Sequence, residues 1–180
     1  MLHIIEAEQT HPNGSVSEAT GITRRSATVE TTLFVAVDNM NKGSDLIAKA
    51  EDWEGLIRLN YDATHAALEN SAVEGAVQYI RSAVALLSPD CLHFQYEVAL
   101  DIYSLTVRLE HDVGNASWCR TLIDEIQANG KTVLDKLPSN LTEIDMLGTE
   151  QKLHEALALG SAVLKEPGEP VSPNPGLLAY

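Results

Sequence analysis

Residues 76–87 read Ala-Val-Gln-Tyr-Ile-Arg-Ser-Ala-Val-Ala-Leu-Leu. Ala76, Tyr79, Ile80, Ala83, Val84 and Leu87 follow one another in alternating long and short steps, which gathers them on one face of an α-helix. The spacing returns at Cys119, Leu122, Ile123 and Ile126, and again at Leu153, Ala156, Leu157, Gly160 and Leu164. Small residues on each stripe let a neighbouring helix approach closely. Three similar helices at a step of roughly 40 residues, with other helical stretches between them, predict stacked helical hairpins, an α-solenoid fragment. Such arrays bind partners more often than they catalyse.

The flanking segments fit this reading. Leu33, Phe34, Val37 and Met40 make a stripe that ends near Asn41-Lys42-Gly43. Asp52 is placed to cap a helix whose inner face is Leu56, Leu59, Ala63, Ala66 and Ala67. Pro89 closes the helix that starts near Ala72, because it lacks the N–H that a helix needs. From Leu92 to Val113 two apolar stripes run side by side, Leu92, Tyr96, Ala99 and Tyr103 beside Val98, Ile102, Leu105 and Leu109. That pattern predicts a helix packed on two sides. Gly114 suits the residue after a helix end, and Asn115 suits the cap of the next helix. Leu137-Pro138-Ser139-Asn140 predicts a turn or kink in the segment from Lys131 to Leu147. No segment alternates apolar and polar residues for long enough to predict a strand, so the fold is expected to be all-α.

Composition bounds the function. Twelve basic residues stand against 26 acidic ones in 180, a formal charge of −14. Nucleic acid and anionic membrane surfaces both require Lys and Arg, so neither is an expected partner. No run of apolar residues is long enough to span a bilayer. The first residues carry acidic groups where a secretory leader carries basic ones, which points to the cytoplasm. Without a leader, the sequons at Asn13, Asn115 and Asn140 carry no meaning. Cys91 and Cys119 are expected as reduced, mostly buried thiols.

Motifs for chemistry are missing. No phosphate-cradling glycine loop and no His-Glu-x-x-His are present. Glu150 and His154 share a helix face, but no third and fourth ligand is suggested, so no metal is expected. Cys91 and His93 do not sit in a recognisable nucleophile turn. No catalytic residue and no cofactor site is predicted, and the chain reads as a non-enzyme. Aromatic residues are the remaining candidates for recognition: Trp53, Tyr61, Tyr96 and Tyr103.

The run Asn39-Met40-Asn41-Lys42-Gly43-Ser44-Asp45-Leu46-Ile47 resembles an h-L-N-r-G-a-e-L-I motif. Leu59-Asn60, Ala76 to Tyr79, Ala85 to Leu87, Tyr96 to Tyr103, Gly114-Asn115, Leu122 to Ile126 and Leu134 to Lys136 follow it in order. The block Thr149 to Leu164 closes the series. Together they are similar to the tetratricopeptide-like helical-repeat segment of large AAA-type signalling ATPases, proteins often fused to a serine/threonine kinase and a histidine kinase. The resemblance covers about residues 33–175. It implies a right-handed stack of antiparallel hairpins with a scaffold or regulatory role in signal transduction. It implies no ATP hydrolysis, because no ATPase motif is present. Pro138, Asn140 and Pro167 depart from the family pattern and imply a weakened last hairpin.

The expected organisation is a flexible N-terminal arm over residues 1–28, a helical-repeat domain over residues 29–165, and a Pro/Gly-rich tail over residues 166–180. The expected function is a protein-interaction or regulatory scaffold module. Its partner would be another protein or the remaining domains of a larger ATPase, and exposed apolar ends favour homo-oligomers. The alternative is a ligand-sensing helical domain with a closed pocket for a small molecule or peptide among Trp53, Tyr61, Tyr96 and Tyr103.

Overall fold

The computed structural model describes residues 15–47, 50–88, 91 and 95–165, with side chains from Val29 onward in those ranges, Ala50 and Glu51 excepted. All regular structure among them is helical. The elements are α1 (Ser15–Lys42), a 3-10 turn (Ser44–Leu46), α2 (Ala50–Glu69), α3 (Val73–Leu86), α4 (Tyr96–Asp112), α5 (Ala116–Asn129), α6 (Val133–Thr149) and α7 (Leu153–Lys165). The all-α expectation therefore holds. Helix α1 begins at Ser15, before the boundary at residue 29 expected between a flexible arm and the helical domain. The first residues of the proposed arm, His93 and the tail from Glu166 lie outside the described residues.

Consecutive helices fold back on one another. Helix α2 packs on α3, α4 on α5, and α6 on α7. Between these pairs, α3 packs on α4, α5 on α6, and α4 on α6, while α1 covers α2. Two adjoining cores result. Ile57, Val77, Ile80, Ile102 and Leu109 build the first, and Val107, Cys119, Leu122, Ile123, Ile126 and Met146 the second. Helix α4 supplies both, Ile102 and Leu109 to the first and Val107 to the second, whereas Val98 of the predicted stripes is exposed.

The three hairpins turn in the same way. Helix α2 ends with Ser71 at φ 57°, α4 with Gly114 at φ 80°, and α6 with Gln151 at φ 60°. In each turn two amides close back on the helix end. Ser71 N–H donates to Leu68 at 2.9 Å and Ala72 N–H to Ala67 at 2.8 Å. Gly114 and Asn115 do the same to His111 and Glu110, and Gln151 and Lys152 to Gly148 and Leu147. This double bond satisfies carbonyls that a helix end leaves without partners, and it needs a left-handed residue. Only the middle turn uses glycine. A side chain in that conformation costs about 1–2 kcal/mol, partly offset by the freedom glycine has when unfolded. Ser71→Gly and Gln151→Gly should each stabilise the chain by about 0.5 kcal/mol, read from urea melts.

Buried polar groups are satisfied locally. The side-chain amides of Asn41 and Asn60 pair reciprocally at 2.8 Å, and Asn60 also donates to the Leu56 carbonyl at 2.9 Å. Thr64 and Thr106 donate to the carbonyls of Asn60 and Ile102, at 2.8 and 2.6 Å. Asn115 precedes α5, but its side chain does not cap that helix. It turns back and donates to Glu110 Oε2 at 2.8 Å instead.

Two expectations about the C-terminal hairpin need correction. Helix α6 continues through Pro138, with no turn there. The proline itself is exposed, so its ring lies on the solvent side. The Ser139 hydroxyl donates to the Lys136 carbonyl at 2.8 Å, and Gln127 of α5 donates to Asn140 Oδ1 at 2.6 Å. The second bond ties the helix, two residues past the proline, to its neighbour α5. The third stripe is also not covered as the first two are. On α7, Val163 is buried and Gly160 faces Ile144, whereas Leu153, Leu157 and Leu164 are 62%, 68% and 51% exposed.

Candidate functional site

Helix α3 packs on both α2 and α4. The two outer helices then face each other across a groove of about 650 Å3. Helix α2 contributes Glu54, Ile57, Arg58 and Tyr61 to its lining. Helix α4 contributes Tyr96, Glu97, Val98 and Asp101, with Gln95 just before it and Lys131 from the α5–α6 turn. The volume lies within the usual ligand-cleft range of about 300–1,000 Å3. Glu54, Arg58, Glu97, Val98, Asp101 and Lys131 are exposed, so the groove is open to solvent.

Helical period explains the α2 wall. Glu54, Arg58 and Tyr61 stand about one turn apart on one side of α2, beside the buried Leu56 and Ile57. At one end the walls are tied together, because Gln95 Nε2 donates to Glu54 Oε1 at 2.6 Å.

The α4 wall is fixed by Tyr96. Its hydroxyl donates to Asp135 Oδ2 and accepts the Lys131 N–H at 2.7 Å. Asp135 also accepts the Thr132 N–H at 2.9 Å, while the Thr132 hydroxyl accepts the Asp135 N–H at 3.2 Å. This reciprocal pair caps the N-terminus of α6. One carboxylate thus joins the groove wall to the start of another hairpin. The Tyr96 hydroxyl, then Thr132, hold the Asp135 carboxyl below its ordinary range. Burial, then the bond to Asp135, push the Tyr96 phenol up. Burial, then the carboxylates of Asp101 and Asp62, push the Tyr61 phenol up. Both phenols stay neutral at physiological pH, and the Tyr96 hydroxyl is engaged in hydrogen bonds.

Lys131 completes the site. Its Nζ lies 3.7 Å from the centre of the Tyr96 ring. Gly130 makes the sharp approach workable: a Cβ there would stand 2.8 Å from the Ile126 carbonyl oxygen.

The four aromatic candidates separate. Tyr61 and Tyr96 come together in the groove. Trp53 is half-buried on α2 and outside the lining. Tyr103 packs into the cores, with its hydroxyl 3.5 Å from Cys91 Sγ. Burial and the Cys91 contact push its phenol up. Both thiols are free and buried, and burial pushes the Cys119 thiol up to about 11. Among the described residues no group of three metal-ligating side chains comes together, and no helix is long and apolar enough to cross a membrane. The sequence reading missed Lys131 and Asp101, whose roles arise only when three elements meet. Comparison of the chain with protein-family models, with curated proteins and with solved structures returns no match.

Proposed function

We propose that the chain is a non-catalytic protein-interaction or regulatory scaffold module, and that the α2–α4 groove is its partner site. The observation that carries the reading is the groove itself: an open channel with two tyrosine faces on its walls and charged residues at its rim. Recognition surfaces favour such residues, since tyrosine offers a large contact area and a polar tip. A closed chamber would favour a small-molecule sensor, and six exposed lining residues speak against one.

Three features support a tetratricopeptide-like, right-handed stack of the kind found in AAA-type signalling ATPases. The hairpin turns share one geometry. The packing order links each hairpin to the next. Asn41 and Asn60, two positions that carry the family resemblance, bond to each other. In this reading the partner is a separate protein or another domain of a larger ATPase in the cytoplasm. The exposed Leu153, Leu157 and Leu164 suit an end that meets a further repeat or a second copy.

Photo-crosslinking tests the site. With p-benzoylphenylalanine in place of Val98, the cell of origin should yield a discrete protein adduct that Tyr61→Ala abolishes. The same probe at the exposed Thr121 of α5 should yield none. Absence of an adduct at Val98 overturns the assignment.

A further inference from the structure

We propose that the groove binds a basic peptide segment, and that Lys131 occupies the aromatic platform until a lysine or arginine of the partner displaces it. This rests on the interaction reading above and names the partner's chemistry.

The Tyr96 ring already carries a cation, the Lys131 ammonium at 3.7 Å. Among the described residues that ammonium forms no ion pair, and its side chain is exposed. An exposed cation–π contact is worth only about 0.5–1 kcal/mol, so an incoming cation with further contacts can replace it. The platform does not move with the lysine. Tyr96 is held by the Asp135 carboxylate and by the backbone N–H of Lys131, and both remain when the side chain swings out. Once Lys131 leaves, Arg58 alone faces Glu54, Glu97 and Asp101 among the lining residues. The upward push on the Tyr61 phenol has Asp101 and Asp62 among its causes, so negative potential reaches the groove wall. That field draws cationic segments and repels acidic ones.

The test uses fluorescence anisotropy with a fluorescein-labelled octapeptide of alternating Lys and Ala at low ionic strength. Lys131→Ala keeps the backbone N–H and removes the competitor. It should tighten binding by about threefold, the factor that an exposed cation–π contact represents. Lys165→Ala changes the net charge equally but lies on α7, and it should leave binding nearly unchanged. Asp101→Asn should weaken binding by about threefold, while the charge-matched Glu155→Gln should not. The proposal is overturned if Lys131→Ala binds no tighter than Lys165→Ala, or if Asp101→Asn binds no weaker than Glu155→Gln. A matched Glu-Ala octapeptide separates the two levels of the reading. If it binds instead and Tyr61→Ala abolishes that binding, the groove stands and the basic partner falls. If neither peptide shifts the Tyr61 and Tyr96 ring resonances, both fall.

Discussion

An Ile80→Ala variant is expected to unfold with about 3–4 kcal/mol less free energy than the parent chain. Ile80 is fully buried on α3. It belongs to one core with Ile57 of α2 and Ile102 and Leu109 of α4. Truncation removes apolar contacts and leaves a void bounded by three helices. Those helices are already constrained by their turns and by the second core, so the void closes only in part. For a chain of this size the midpoint of a thermal melt should fall by ~10 °C. The control is Leu157→Ala in the matching stripe of α7. Leu157 is 68% exposed, so its truncation should change stability by less than about 0.5 kcal/mol. Equal losses at both positions would contradict the packing described for α7.

The next residue carries the second large effect. Arg81 points away from that core and forms a two-pronged ion pair with Glu110, Nε to Oε1 at 2.6 Å and the second guanidinium nitrogen to Oε2 at 2.7 Å. Glu110 is fully buried, and Arg81 also lies 5.9 Å over the Trp118 ring. Three helices, α3, α4 and α5, meet at this point. Burial alone would push the Glu110 carboxyl up, but the bonds from Arg81 and Asn115 outweigh it and hold it low. Arg81→Met keeps most of the side-chain bulk and strands the carboxylate. The expected cost is about 3 kcal/mol at neutral pH, at the lower end for broken buried pairs because Arg81 is 38% exposed. The pH dependence should reverse at this site. In the parent chain Glu110 has a depressed folded value. Its stabilisation is present above the unfolded value of about 4.3 and fades as pH falls through the folded one. In Arg81→Met the folded value lies above the unfolded one, so the penalty shrinks as pH is lowered toward about 4.3. Arg81→Met combined with Glu110→Met should recover most of the loss. Urea melts at neutral and mildly acidic pH check all three expectations.

The helices were legible because apolar spacing is a local property. Ile80, Ile102 and Ile126 announce buried faces from their neighbours alone, and each is 0% exposed. Pro138 misled because tertiary packing overrode the local signal: Ser139 and Asn140 are buried just beyond it, and Asn140 is held by Gln127 of α5, a contact that the sequence does not display. Leu153 and Leu157 misled in the opposite sense. Their stripe matches the buried ones, yet no further described helix follows α7 to cover it. Asn115 has the chemistry of a helix cap, but its Nδ2 donates to Glu110 and turns the side chain back toward α4. In the groove, Tyr61 and Tyr96 were visible as aromatic residues. Lys131 was not, because its role depends on Gly130 permitting a close turn and on α4 presenting a ring beneath it.

The left-handed residues Ser71, Gly114 and Gln151 share one backbone shape with three unrelated side chains. Each precedes the first inward small residue of its helix, Ala76, Cys119 or Ala156, by the same interval. The joint therefore works as a fixed ruler whose setting does not depend on the side chain it carries. Adding one residue between ruler and stripe would rotate the helix that follows by roughly 100°, turning its greasy side away from its neighbour.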